Sequence, residues 1–75
     1  MNYPWVIEVW GFGPEDERAL SNIADFEDAP KPSCLGWRRV KNRFTTTKSV
    51  ATFVKVLLDH AENNDECCIR VYADH

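Results

Sequence analysis

Residues 34–46, "CLGWRRVKNRFTT", decide the fold. Trp, Val and Phe favour extended backbone, so the stretch reads as strand. Read as one strand, it gives the chain three strands in all. Read as a hairpin turning at Lys41-Asn42, it gives four. Asn accepts the positive φ that a two-residue hairpin turn demands, although Lys-Asn signals such a turn less strongly than Asn-Gly. The hairpin is the expected form, and the single strand is its alternative. The same region concentrates charge. Residues 36–48 hold five of the nine Lys and Arg, with Trp37 and Phe44 among them, in a chain of net charge −3.

Towards the N-terminus, "PWVIEVWGF" (4–12) reads as a strand. Alternation sets Trp5, Ile7 and Val9 on one face, the more apolar and therefore the core face. Val6, Glu8, Trp10 and Phe12 fall on the other. Gly11 and Gly13 end this strand. Pro14 suits the first position of a helix, where its missing N–H costs nothing. Glu15, Asp16 and Glu17 then occupy the first turn, where the helix dipole favours negative charge. Ala19, Leu20, Ile23, Ala24 and Phe26 supply a buried stripe for a helix running to about residue 27. "DAPKPS" (28–33) is a loop.

Towards the C-terminus, Val50, Phe53, Val54, Leu57, Leu58 and Ala61 recur at the spacing of one helix face. Thr47 is the expected N-cap and Asn63-Asn64 the expected exit. "ECCIRVYA" (66–73) closes the chain as a strand, with Cys67, Ile69, Val71 and Ala73 facing one way and Cys68, Arg70 and Tyr72 the other. The predicted order is βαββαβ. It implies an α+β domain of the ferredoxin-like plan, a four-stranded antiparallel sheet with two helices on one face. The single-strand alternative gives a three-stranded βαβαβ sheet. Residues 1–75 are expected to form one small domain.

Bulk properties narrow the function. At 44% hydrophobic and 28% charged, the composition is that of a folded chain rather than a disordered one. Three Cys, two of them adjacent, do not make a secreted disulfide framework. No basic-then-apolar leader opens the chain and no apolar run approaches bilayer length, so the expectation is a cytoplasmic protein without a membrane role.

Catalysis finds little to stand on. His60 and His75 are the only histidines. His60 sits at the edge of a helix stripe, and no Cys is spaced to meet it as a nucleophile. Cys67 and Cys68 point to opposite faces of a strand and cannot share a tetrahedral ion; with Cys34 and His60 they do not compose a zinc set. "GFG" (11–13) is followed by Pro14 and three carboxylates, which would repel a phosphate. The expected protein is a non-enzyme with no cofactor and no metal.

Binding surfaces are better represented. Trp10, Phe12 and Tyr72 with Arg70 belong to the open face, joined by Trp37 and Arg39 or by Arg38 and Val40 according to register. Trp, Tyr and Arg are the residues that most often anchor interfaces. Trp10, Phe12, Trp37, Arg38, Arg39, Arg70 and Tyr72 are therefore the candidate partner-binding residues. Glu15, Asp16 and Glu17 form a second, acidic surface suited to a basic groove. An open sheet bearing Trp10 and Tyr72, with Arg38, Arg39 and Arg70 for phosphates, resembles the RNA-recognition motif family in architecture. That resemblance implies single-stranded nucleic-acid binding, but the family's long aromatic signature is missing from "RVKNRFTTT".

The leading expectation is a protein-binding module, an inhibitor or adaptor. In size and composition it is similar to small phage anti-defence proteins and bacterial immunity proteins. Its expected partner is a protein, a nucleic-acid-binding complex being one candidate. Nucleic acid itself and a homo-oligomeric regulatory subunit, with a homodimer as one form, are the alternatives.

Overall fold

The computed structural model describes residues 4–29, 36–61 and 67–73. Cys34, the Asn63-Asn64 exit, His75 and the prolines of the 28–33 loop lie outside the described residues. The elements are β1 (Trp5–Trp10), α1 (Pro14–Ala19), β2 (Phe26–Asp28), β3 (Trp37–Val40), α2 (Thr47–His60) and β4 (Cys68–Ala73). Together they make a small α+β fold, an open four-stranded antiparallel sheet in the order β2-β3-β1-β4, with two helices.

The sheet is built around β1. It pairs with β3 through Glu8↔Arg39, Val9↔Arg38 and Trp10↔Trp37. On its other side all six residues pair with β4, from Trp5↔Ala73 to Trp10↔Cys68. Ile7 and Val9 are completely buried. Leu20 and Ala24, beyond the end of α1, pack on them from above, as do Phe53 and Leu57 of α2; Val40 and Phe44 complete the core. The alternation expected for β1 holds from Trp5 to Trp10. It fails at Phe12, which is buried in the core instead of standing on the opposite face. Gly11 has φ +93°, a left-handed step that turns the chain and carries Phe12 under the helices, where its ring stands 5.6 Å from that of His60.

Four strands are present, but the second of them is not where the hairpin reading put it. The chain does not reverse at Lys41-Asn42. Residues 41–43 leave the sheet, and the missing strand is β2, whose register with β3 is Phe26↔Val40, Glu27↔Arg39 and Asp28↔Arg38. Lys41-Asn42 has no glycine to form the primed turn cheaply. Asn42 instead clamps the chain before β2. Its amide donates to the Ile23 carbonyl (3.0 Å), and its side-chain oxygen accepts from the Asp25 N–H (3.3 Å). Phe44 then makes one bridge to Trp5 and stacks 5.0 Å from Phe53.

The first helix is correspondingly shorter than its stripe implied. It ends at Ala19, Ile23 is exposed, and Phe26 belongs to a strand. Ser21 and Asn22 are poor helix formers. Asp25, Glu27 and Asp28 would have put carboxylates at the negative end of the dipole. Pairing with β3 instead sets Glu27 and Asp28 opposite Arg39 and Arg38. At the second helix Thr46, one residue earlier than expected, is the N-cap; its hydroxyl accepts from the Ser49 N–H at 3.1 Å. No helix among the described residues is long and apolar enough to cross a membrane.

Candidate interaction face around Glu8

The face of the sheet opposite the helices is organised by a carboxylate. Strand alternation in β1 brings Val6, Glu8 and Trp10 to this side. The registers then fix their neighbours, Arg39 and Arg70 flanking Glu8, Trp37 and Cys68 flanking Trp10, and Tyr72 beside Val6. Glu8 is 0% exposed although no helix covers it; the long side chains around it close over it.

Arg39, Arg70 and Tyr72 all bond to Glu8. Arg70 Nε donates to Oε1 at 2.6 Å, and its Nη2 forms an ion pair with the same oxygen. Arg39 Nε donates to Oε2 at 3.1 Å, and the Tyr72 hydroxyl donates to Oε2 at 3.0 Å. Arg39 Nη2 in turn donates to the Tyr72 oxygen at 2.7 Å. The Arg70 guanidinium lies 4.0 Å from the centre of the Trp37 ring, a cation–π contact. Burial alone would push the Glu8 carboxyl up. The hydrogen bonds from Arg70, Tyr72 and Arg39 outweigh it and hold the group below the ordinary carboxylate value. Two guanidinium groups and one carboxylate leave the cluster with one net positive charge.

Trp10 is placed by a glycine. Gly36 has φ +93°, and a Cβ built there would come within 2.9 Å of the Trp10 Nε1. The indole therefore lies against bare backbone. Trp10 is 39% and Tyr72 36% exposed, with Trp37 half-buried between the arginines and Trp10. The face thus presents aromatic surface whose side chains are already fixed by packing and hydrogen bonds.

Of the seven candidate binding residues, the structure brings five together here: Trp10, Trp37, Arg39, Arg70 and Tyr72. Phe12 is in the core. Arg38 is on the helix side, because the β1–β3 register puts Trp37 and Arg39 on the open face. There its Nε and Nη2 form a bidentate pair with Glu17 at 2.7 and 2.9 Å, and its Nη1 reaches Asp28. Glu17 is the principal reason that Arg38 is held more firmly protonated than a free arginine. Glu15, Asp16 and Glu17 do not make one acidic surface either. Glu15 is exposed, Glu17 is tied to Arg38, and Asp16 bonds the Gly13 N–H and the His60 ring, both at 2.9 Å. The Gly13 bond, followed by that from His60, lowers the Asp16 carboxyl.

The arginines of the basic segment are thereby divided between the two faces, Arg38 to Glu17 and Asp28, and Arg39 to Glu8. The clustering of charge in sequence becomes pairing of charge in space. Glu8 itself was absent from the sequence-based candidates. The available signal was a lone carboxylate at the centre of an apolar strand, which cannot be buried without cationic partners.

A groove of about 490 Å³ lies on the helix side, lined by Ile23, Phe44, Phe53 and Val56 together with Thr46 and Ser49. Among the described residues no group of three or more His, Cys, Asp or Glu side chains is placed to hold a metal ion. Compared with protein-family models, curated proteins and solved structures, the chain gives no significant match.

Proposed function

We propose that this protein is a non-enzymatic protein-binding module, an inhibitor or adaptor, that docks through the open face of its sheet. The observation that carries the reading is the pre-ordered cluster of Trp10, Trp37, Tyr72, Arg39 and Arg70 over buried Glu8. Aromatic and arginine side chains dominate interface energetics when packing has already removed their rotamer freedom. The Glu8 hydrogen bonds and the Gly36 contact do this before any partner arrives. We further read the βαββαβ order, with its sheet order β2-β3-β1-β4, as a ferredoxin-like split βαβ plan, which leaves one sheet face for binding.

Nucleic acid receives less support from the same geometry. Arg38, Arg39 and Arg70, the side chains available for phosphates, are each bonded to a carboxylate. The experiment is capture from host lysate, with and without nuclease and at low and high salt. A specific protein retained under all conditions, and lost on Trp10→Ala, supports the module. Binding that disappears with nuclease, or falls steeply with salt as phosphate contacts do, assigns the face to nucleic acid instead.

A further inference from the structure

The two edges of the sheet differ. β2 is three residues long and carries Glu27 and Asp28, the short and charged form by which sheets protect an edge. β4 is six residues long, with no Pro, Lys, Asp or Glu. Its one charge, Arg70, is turned onto Glu8 and Trp37 and so does not guard the edge.

The helix layer also stops short of β4. Val71 faces the helix side and pairs directly with Ile7, yet Ile7 is 0% and Val71 37% exposed. Arg38 and Asp28 tie α1 to the β2–β3 side through Glu17. On α2, Thr52 and Val56 line the flank that meets Ile23 and Phe44. At 100° per residue, Val54 and Leu58 fall on the opposite flank, away from α1 and so towards β4. Leu58 is 57% exposed, the most exposed of the large apolar side chains among the described residues. An apolar strip of Val71 and Leu58 therefore runs beside a strand edge that no described residue guards.

We infer that β4 pairs antiparallel with β4 of a second copy of this chain, closing a two-fold dimer with one continuous eight-stranded sheet and with Leu58 and Val71 of both copies under the α2 helices at the seam. The β4 sequence favours self-pairing in one register. Centred on Arg70, the register would oppose two like charges, which is destabilising. Centred on Val71, it sets Val71 against Val71, Ile69 against Ala73 and Arg70 against the aromatic ring of Tyr72. Side chains of the same sheet face then meet across the axis. Pairing of β4 with the β2 edge of another copy would be head-to-tail and would not give a closed two-fold dimer. The dimer leaves the open faces of both copies on the same side, doubling the surface that carries Trp10 and Trp37.

The test is the solution mass of the full chain by sedimentation equilibrium over a wide concentration range, for wild type, Leu58→Lys, Val71→Lys and Trp10→Ala. The expected result is a mass approaching twice 8.7 kDa for wild type and Trp10→Ala. Leu58→Lys and Val71→Lys, at exposed positions, are expected to be folded by circular dichroism and to sediment at 8.7 kDa. Wild type that stays at the monomer mass throughout overturns the inference, as does growth beyond the dimer. A dimer that survives Leu58→Lys and is lost in Trp10→Ala also overturns it and moves self-association to the open face.

Discussion

Glu8→Gln isolates the charge at the centre of the open face while keeping the shape of the side chain. In the native cluster both carboxylate oxygens accept from charged or polar donors, Arg70 on one and Arg39 and Tyr72 on the other. A carboxamide has one acceptor oxygen, and its NH2 must face a guanidinium or a hydroxyl that already donates. Removing one partner of a fully buried ion pair costs about 3–5 kcal/mol, because the other charge is left uncompensated. Here the Arg39 and Arg70 side chains retain 21% and 37% of their exposure, so water takes up part of their charge. The expected loss is accordingly lower, about 2–3 kcal/mol. Against a total stability of roughly 4–11 kcal/mol for a chain this size, that is a large fraction. It corresponds to a fall in Tm of about 10–20 °C. Urea unfolding followed by Trp fluorescence measures it directly, with the midpoint lowered and the denaturant slope unchanged, since the folded surface is the same. A loss below about 0.5 kcal/mol, the range of ordinary surface substitutions, would refute the assignment of Glu8 as the organiser of this face.

Three further outcomes are expected. Because Glu8 and Asp16 are held below their ordinary values of 4.5 and 3.8, the unfolded chain takes up protons first as pH falls. The stability they contribute is complete above about pH 5 and is lost on acidification through their folded values. The urea midpoint should therefore decline only below that point, and less steeply in Glu8→Gln; an identical acid slope in the variant would assign the effect elsewhere. Gly36→Ala should cost at least about 1 kcal/mol from its positive φ and also displace the Trp10 indole, visible as a shift in Trp10 side-chain resonances. An undisturbed indole would contradict the packing described. Among the described thiols, burial above all pushes Cys67 up, with Cys68 and Asp16 adding to it, whereas Cys68 is exposed. Alkylation at neutral pH should mark Cys68 before Cys67, checked by peptide mass; the reverse order would contradict the burial of Cys67.

The sequence was readable where one period dominates. The Trp5, Ile7 and Val9 face, the Phe53 and Leu57 stripe and the two faces of β4 follow from spacing alone, because each buries a regular set of apolar side chains. Reading failed where a single residue interrupts the period. Gly11 reverses the facing of Phe12, and no count of alternation foresees that. β2 is three residues long and carries two acids, too short and too polar to register as a strand, and it exists because Arg38, Arg39 and Val40 stand opposite it. The basic segment misled for a related reason. Its arginines are adjacent in sequence, but successive strand residues face opposite ways, and the carboxylates that neutralise them come from β1, α1 and β2. The site's aromatic members were visible as composition. Its organiser, Glu8, was not, because one acid in an apolar strand carries meaning only when its cross-strand neighbours are known.

The docking claim is tested most directly by calorimetry with the partner captured from lysate, comparing wild type with Trp10→Ala and Ile23→Ala. Trp10 stands on the open face and Ile23 on the far side of the molecule. The account predicts that Trp10→Ala weakens the complex by about 30-fold or more, the 2 kcal/mol of an anchoring residue, while Ile23→Ala binds as wild type. Equal affinity for wild type and Trp10→Ala, or a loss confined to Ile23→Ala, would contradict it and move the interaction off the open face of the sheet.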